Sequence, residues 1–383
     1  MTRKHADGAG RRSEEGGFTL IELMVSVAIT LIVVVALIAL FLNISRNNAE
    51  LTKVNRQIES GRLSIHLLEQ DIAHAGFWEN YLPQFDDLVI STAPANVPTG
   101  AAPDPCLAYN AVNWTDAYRR SLLDIPVQSF DTVPSGCATV VLNKMPNTDV
   151  LVVRHAETCL AGAAGCEADG AGKLYFQSSF CGTQPPATFN LEVAGFNGIL
   201  AKDCATAAPK RKFISDIYYV RSYATTVGDG IPTLMRSRFD LAAGNLGHQP
   251  AQELIDGVQG FRVELGLDTL GKTADAVDYT TSVSWSNPAL RNTPTNRGDG
   301  SPDGAFVRCT AVLPCTADQL INVVAVKISV LARSSEASPG HIDSKTYNLG
   351  STTLGPFNDN FKRHLFGTTV RLSNVAGRRE TPS

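Results

Sequence analysis

The amino-acid sequence predicts an α+β protein, with one long N-terminal helix followed by a domain rich in antiparallel β-strands. Residues 18–42 form a nearly unbroken apolar run, and an amphipathic pattern continues it to residue 76. Beyond this point, short apolar or alternating segments are separated by Gly, Pro and Asn, which is typical of strands joined by turns. The chain has 383 residues, enough for a large core behind the helix.

Residues 18–42 are long and apolar enough to cross a membrane as a helix. At 1.5 Å per residue, about 25 residues span roughly 37 Å, and a hydrocarbon core is about 30 Å thick. The polar residues of the run are Thr19, Glu22, Ser26 and Thr30. The basic residues that precede it are Arg3, Lys4, Arg11 and Arg12. We therefore expect the N-terminal end to stay in the cytoplasm and the remainder to be exported.

The helix is predicted to continue over residues 43–76 as an amphipathic helix, because apolar residues recur there at spacings of three, four or seven. They are Ile44, Leu51, Val54, Ile58, Ile65, Leu68, Ile72 and Ala75. Gly61 lies on this stripe, where a bulky group of the domain could approach closely, whereas charged residues such as Asp71 are predicted to face solvent. We expect the stripe to pack on the chain's own sheet, with a coiled coil as the alternative, and the helix to end at Gly76.

Residues 77–383 are predicted to form an exported, β-rich globular domain. Strands are expected where segments are rich in apolar, aromatic or β-branched residues, or alternate with a period of two. The predicted strands are 138–142, 149–153, 173–177, 212–223, 233–239, 261–267, 321–331 and 368–373. Residues 253–258 are predicted as a short helix. Segments 159–172 and 285–304 are dense in small and polar residues, so both are predicted to be exposed loops.

Eight cysteines all follow the membrane segment, and an even number in an exported domain indicates a disulfide framework. They are Cys106, Cys137, Cys159, Cys166, Cys181, Cys204, Cys309 and Cys315. The sequence does not determine the pairing. Bonds from Cys159 to Cys166 and from Cys309 to Cys315 are favoured, because each would close a tight loop. The alternative, a metal site of Cys159, Cys166 and His155, lacks a paired Cys-x-x-Cys spacing.

The start of the apolar run carries a carboxylate at membrane depth. Glu22 lies four residues after Phe18, which follows Gly17. An ionisable group inside a bilayer is costly, so it indicates a function and a partner of opposite charge. That partner does not exist in the intact chain, but cleavage after Gly17 would create it as the α-amino group of Phe18.

These residues resemble the class III signal of type IV pilins and type II secretion pseudopilins. The resemblance implies that the leader, residues 1–17, is removed by a prepilin peptidase and that the new N-terminal Phe18 is methylated. It also implies that Glu22 neutralises the terminal amine of a neighbouring subunit during filament assembly. A plain signal-anchor has the same apolar length but no use for Glu22. A secretory signal has a shorter apolar core, and its cleavage site follows that core.

Several segments resemble the PilW family of minor type IV pilins. They are 64–78, 216–223, 253–267 and 361–372. The resemblance implies a pilin-like fold and a low-abundance subunit that helps to initiate the filament and lies at or near its tip. Type II secretion pseudopilins of the J type have the same layout and are the alternative. Because Glu22 is retained, we expect at least one other subunit to lie ahead of this one.

The same resemblance implies the partners and the location. The partners would be the prepilin peptidase and methylase, other minor pilins, a tip adhesin, the major pilin, and membrane lipid before assembly. The chain would lie in the bacterial inner membrane with its C-terminal domain in the periplasm, and on the cell-surface pilus after assembly.

Enzymatic chemistry and nucleic-acid binding are not expected. The net charge of −4 argues against a dedicated nucleic-acid binder. No nucleophile elbow, His-Glu-x-x-His, phosphate loop or dinucleotide fingerprint occurs, so we expect no catalytic residues, cofactor or metal. A calcium site at Asp299 and Asp303 is an open alternative. The Arg297-Gly298-Asp299 tripeptide matches an integrin-binding motif but is expected by chance.

Overall fold

The computed structural model describes residues 17, 19–185 and 187–381. One α-helix, α1 (Leu20–His74), covers 55 residues and runs through both of the predicted helical halves. The chain divides into two compact units, residues 1–53 and 54–383. The described part of the first unit consists almost entirely of the N-terminal part of α1. Among its described residues, the second unit contains the remainder of α1, the strands, three shorter α-helices and one 3-10 helix at Gln84–Asp86.

An eight-stranded antiparallel sheet forms the larger part of the second unit. Its strands are β1 (Val127–Phe130), β2 (Val150–Ala156), β3 (Tyr175–Ser178), β4 (Phe189–Glu192), β5 (Arg211–Arg221), β6 (Thr233–Ala242), β7 (Asn245–His248) and β8 (Gln252–Asp256). The order is β1-β2-β5-β3-β4, with β6 also paired to β5, and with β7 and β8 paired to β6. Strand β5 is therefore the central strand, and nine of its 11 residues are buried.

A second sheet has the order β13-β10-β9 and lies next to α1. It contains β9 (Val258–Leu267), β10 (Val323–Arg333) and β13 (Arg363–Arg371), and the pair β11 (Tyr347–Leu349) and β12 (Thr352–Leu354) forms a small ribbon. The shorter helices are α2 (Asp116–Asp124), α3 (Ala317–Leu320) and α4 (Ser373–Arg379). The prediction of an α+β protein with a long N-terminal helix on an antiparallel sheet is confirmed.

Most predicted strands are confirmed. The segments starting at residues 149, 173, 212, 233, 261 and 321 correspond to β2, β3, β5, β6, β9 and β10. Strand β10 is the central strand of the second sheet, because it pairs with β9 on one side and β13 on the other. The last segment, 368–373, is part of the longer β13, and its final residue begins α4.

Two local predictions are wrong. Residues 138–142 form turns instead of a strand, because the backbone N–H groups of Val140 and Val141 both bond the carbonyl oxygen of Cys137, at 3.0 and 2.8 Å. Residues 253–258 do not form a helix, since β8 pairs with β6 across a bulge between Leu234 and Met235. Gly257, with φ of +81°, then turns the chain sharply into β9.

The C-terminal part of α1 packs on the second unit through one narrow face. Its buried residues, spaced four or three apart, are Gln57, Gly61, Ser64, Leu68 and Ile72. Three of these five carry small or polar side chains, and the ring of Phe366 on β13 occupies the space in front of Gly61. The helix ends at His74, and Gly76 follows with φ of +72°, as predicted for a terminating glycine.

The core of the second unit has an aliphatic and an aromatic part. The aliphatic part joins Leu68 and Ile72 of α1 to the valines and leucines of β9 and β10. The aromatic part is built around Trp78, with its ring stacked on Phe213 at a centroid distance of 5.8 Å. The indole N–H of Trp78 donates to the carbonyl oxygen of Leu123 at 2.8 Å, so this buried polar group is satisfied.

The predicted exposed loop 285–304 is only half exposed. Its second part folds inward around Arg297, whose side chain is 2% exposed. The Arg297 guanidinium donates to the carbonyl oxygens of Asn296 and Thr281, at 2.8 Å each, and to that of Asp278. The carboxylate of Asp268 accepts bonds from two backbone N–H groups of the same loop. A polar segment is thus buried because its hydrogen bonds are made internally.

Buried charged groups fasten helix α4 to the domain. The guanidinium of Arg379 bonds Asp86 at 2.8 Å and Asp268 at 3.2 Å, and all three side chains are almost fully buried. Next to this cluster, the hydroxyl of Tyr81 donates to a carboxylate oxygen of Asp124 at 3.0 Å. Burial raises the pKa of Asp124 to about 7.

Replacement of Gly61 by alanine should destabilise the second unit. A Cβ atom at Gly61 would lie 2.1 Å from a ring carbon of Phe366, so the ring or the helix has to move. We expect a loss of about 1–3 kcal/mol in the free energy of unfolding. Urea unfolding of the full chain in detergent measures it. The matched control is Gly377→Ala in α4, where nothing lies within 4 Å and a gain of up to about 1 kcal/mol is expected.

Asp124 should make stability depend on pH. Its folded-state pKa lies above the unfolded value of about 3.9, so the folded state holds the proton and loses stability as pH rises from about 4 to about 7. The slope is at most about 1.4 kcal/mol per pH unit. Asp124→Asn stays neutral, so urea unfolding between pH 5 and 8 should show a flatter decline. Asp116→Asn, at the exposed start of the same helix, should keep the wild-type slope.

Candidate assembly site

Glu22 lies in the first turn of α1 and is bound to Thr19. One of its carboxylate oxygens, Oε2, accepts the backbone N–H of Thr19 at 3.0 Å and the Thr19 hydroxyl at 2.9 Å. Thr19 therefore begins the helix with the reciprocal geometry of a capping box. The other oxygen, Oε1, accepts no hydrogen bond from any residue that the structure describes. The carboxylate is thus oriented by its own chain and keeps one oxygen available.

The two predicted processing residues lie at the margin of the described chain. Gly17 is exposed, as expected for a peptidase site. Phe18, the predicted site of methylation, lies outside the described residues, as do residues 1–16 of the predicted leader.

No residue that the structure describes covers the apolar part of α1. Every residue from 20 to 49 is exposed, and large side chains such as Leu20 and Phe41 keep 77% and 70% of their surface exposed. Among the described residues, α1 is the one helix long and apolar enough to cross a membrane, judged by length and composition. Such a surface requires lipid or other apolar helices around it.

Glu22 is the single charged residue between residues 17 and 45. The two hydroxyl groups further along, those of Ser26 and Thr30, donate to carbonyl oxygens of the preceding turn at 2.9 and 2.7 Å. They are therefore satisfied within the helix. Glu22 is left as the one group of this segment whose burial requires a charged partner.

Polar contacts hold the C-terminal part of α1 on the second unit. The Gln57 amide donates to the carbonyl oxygen of Ala332 on β10 at 3.0 Å. The Asn374 amide, in the first turn of α4, lies 3.3 Å from each of the carbonyl oxygens of residues 73–75 and so caps the end of α1. Both ends of the packed face are thus fixed by hydrogen bonds in addition to apolar burial.

A third contact joins Asp71 to His155 on β2. One ring nitrogen of His155 lies 3.1 Å from the Asp71 carboxylate, and the other lies 2.9 Å from the carbonyl oxygen of Ala156. Burial lowers the pKa of His155, but the hydrogen bond and charge of Asp71 outweigh it, so that the pKa lies above its usual value. Asp71 was predicted to face solvent; this prediction is wrong, because Asp71 pairs with His155 at the interface between helix and sheet.

All eight cysteines are paired in the structure. The bonds are Cys106–Cys137, Cys159–Cys166, Cys181–Cys204 and Cys309–Cys315. The two short loops favoured by spacing are among them. The alternative metal site at Cys159, Cys166 and His155 is not formed, because the two sulfur atoms are bonded to each other and the imidazole faces Asp71.

The remaining sequence candidates have structural roles. Asp303 accepts the backbone N–H groups of Thr269 and Leu270 at 2.7 Å each, and Asp299 accepts that of Ser301 at 2.9 Å. Their carboxylates therefore shape the loops that contain them. Arg297 is buried, so the tripeptide that begins with it does not present its guanidinium to a receptor.

Two family models match this chain. Residues 12–38 match the prokaryotic N-terminal methylation motif, and residues 217–374 match type IV pilus-assembly protein W. A solved type IV-like pilin from Thermus thermophilus has 10% sequence identity, with 84% of this chain and 97% of that chain covered and a TM-score of 0.34. At that score the likeness carries no argument about this chain. No curated protein matches it.

The methylation motif and the long apolar helix define a membrane-anchored type IV pilin. Within the globular domain, the match of residues 217–374 to type IV pilus-assembly protein W supports the predicted type IV minor pilin of the PilW type. The motif implies processing by a prepilin peptidase, and the family implies association with components of a pilus.

The sequence analysis did not predict the buried ion pairs of the second unit. Besides the pair of Asp71 and His155, Asp216 on β5 is fully buried and accepts two bonds from Arg238 on β6, at 2.8 and 2.6 Å. The sequence gives one signal for this pair: an aspartate and an arginine within predicted strands. Their registration opposite each other is set by sheet pairing.

Thr19 should be required to orient Glu22. Thr19→Val removes the hydroxyl with little change of shape, and loss of a helix cap costs about 1 kcal/mol, or roughly a fivefold change in an equilibrium. We expect about fivefold less incorporation into sheared filaments per processed chain, measured by quantitative mass spectrometry. Thr19→Ser should retain incorporation. Thr30→Val, whose hydroxyl bonds only its own helix, is the matched control and should behave as wild type.

Proposed function

We propose that cleavage after Gly17 activates this minor pilin, and that Glu22 then pairs with the α-amino group of an adjacent subunit in the filament. The observation that carries the proposal is the position of Glu22, the one charge on an uncovered apolar helix. A buried carboxylate is tolerated when a positive charge lies beside it, and a freed N-terminal amine provides that charge within the apolar core.

The subunit helps to initiate the pilus and lies at or near its tip. A domain of some 300 residues behind the helix supports this position, because every copy in a repeating shaft has to pack around the same narrow helical core. Retention of Glu22 supports a place below at least one other subunit, since its partner amine belongs to a neighbour. A large domain and a place near the tip both imply that few copies of this subunit are present in each pilus.

The domain is exported, and the anchor stays in the inner membrane until assembly. Two observations support this topology. The basic residues precede the apolar run, which keeps that end in the cytoplasm. All eight cysteines follow it and are paired, which is typical of an oxidising compartment such as the periplasm. After assembly the domain is displayed on the pilus.

The chain acts as a structural subunit. It is a substrate of the peptidase and methylase and is not itself an enzyme. Its proposed partners are the prepilin peptidase and methylase, other minor pilins, a tip adhesin and the major pilin. Support comes from the structural roles of interior polar groups such as Arg379, which bonds Asp86 and the carbonyl oxygen of Ile321, and His155, which bonds Asp71.

Replacement of Glu22 tests the pairing. We expect Glu22→Ala to be cleaved normally but to be at least tenfold depleted from sheared filaments, because the neighbouring amine loses its counter-charge. The measurement is mass spectrometry of a peptide that begins with methylated Phe18, in filaments and in membranes. Glu59→Ala, an exposed acid further along α1, is the matched control and should leave incorporation unchanged.

The same assay can also contradict each part of the proposal. Undiminished incorporation of Glu22→Ala would contradict the pairing. A mature chain that still begins at Met1 would contradict the cleavage. Detection in filaments only when type II secretion components are overproduced would assign the chain to a pseudopilus.

A further inference from the structure

The loop closed by the Cys309–Cys315 disulfide presents two successive apolar side chains to solvent. Val312 is 88% exposed and Leu313 is 74% exposed. Among the described residues of the second unit, other large exposed hydrophobic residues occur singly along the chain, for example Val89 and Val112. Isolated exposed hydrophobic residues are ordinary, but an adjacent pair at the tip of a closed loop requires an explanation.

The loop has a defined internal conformation. The backbone N–H of Thr310 donates to the carbonyl oxygen of Leu313 at 3.0 Å, and the N–H of Leu313 donates to the Thr310 hydroxyl at 3.0 Å. The N–H of Ala311 donates to the carboxylate of Asp131 at 2.8 Å, which ties the loop to the segment after β1. The apolar tip is therefore held in place instead of moving freely.

Both ends of the loop are fastened to the core. Before it, Val307 exchanges two backbone hydrogen bonds with Leu265 on β9, at 2.7 and 2.8 Å. After it, Thr316 begins α3 with a capping box that involves Gln319. Cys309 itself is 3% exposed. A loop ordered in this way loses little conformational entropy when a partner covers it, and this is the property of an anchor residue in an interface.

The charges around the loop favour a protein partner over a membrane surface. The residues between the two cysteines carry no charge. Asp131 and Asp318 lie at its base, where they accept hydrogen bonds from Ala311 and Thr316. Arg308, next to the disulfide, is already bonded to Asp149 at 2.7 Å. Insertion into anionic lipid normally uses free lysine or arginine beside the apolar group, and acidic neighbours oppose it.

We propose that the 309–315 loop is a docking anchor that inserts Val312 and Leu313 into an apolar pocket of a neighbouring pilus subunit. This inference rests on the proposed function. Two side chains are too small for a whole interface, so they act as its buried centre, surrounded by polar contacts. The acidic base of the loop fits a pocket with lysine or arginine at its rim.

The test compares two double variants of the full chain in pilus-forming cells. Val312→Ser with Leu313→Ser removes the apolar tip and leaves the disulfide intact. Val89→Ser with Val112→Ser removes two equally exposed valines elsewhere and is the matched control. We expect the loop variant to be at least fivefold depleted from sheared filaments relative to its processed form in membranes, with the control unchanged. Val312→Arg, which adds bulk and charge at the same exposed site, should give the same depletion.

A photo-reactive amino acid at position 312 identifies what covers the loop. We expect a covalent adduct with another subunit of the filament, detected in sheared pili, and no such adduct from position 112. Equal incorporation of the loop and control variants would overturn the proposal. An adduct with lipid, or none in assembled filaments, would also overturn it. Absence of the wild-type chain from filaments would instead contradict the proposed function, so the two failures are distinguishable.

Discussion

An apolar helix with a single carboxylate in its first turn is the constraint on which the whole protein depends. Residues 20–49 are all exposed and mostly apolar, so contact of this segment with water is unfavourable. Lipid satisfies the apolar side chains but does not neutralise Glu22. A filament core that supplies both apolar neighbours and a positive charge satisfies the complete segment. In the proposed function, transfer from lipid to the filament core is favourable because only the core neutralises Glu22.

The internal hydrogen bonds from Thr19 to Glu22 suit both the membrane and the filament core. In the chain alone, the carboxylate is occupied by its own helix start, which reduces the cost of holding it in a membrane. One oxygen remains available to an incoming amine. In the proposed function, the same cap supports the anchored state and orients the group that pairs with the amine in the assembled state.

The second unit is built to hold its end of the helix without slipping. Small residues at Gly61 and Ser64 let the helix approach the sheet closely, and Phe366 fills the space in front of Gly61. The hydrogen bonds donated by Gln57 and Asn374 and the one accepted by Asp71 are directional, so they resist sliding that apolar contacts alone would permit. Four disulfides close loops with sequence separations of 6 to 31 residues.

The sequence alone determined the parts of this protein whose physics is local. A membrane helix, its terminating Gly76, most strands and the acid at Glu22 all follow from the order of apolar and polar residues along a short stretch. Two disulfides between near neighbours follow for the same reason. The close approach predicted at Gly61 also depends only on its place on a helical stripe.

Tertiary structure decided whatever depends on partners distant in the chain. Residues 253–258 became a strand because β6 offered hydrogen bonds, and loop 285–304 turned inward because Arg297 could reach three carbonyl groups. Asp71 and His155, 84 positions apart, pair because the sheet brings them together. Burial of a charge is favourable only when its partner is in place, and that condition becomes visible only once the chain has folded.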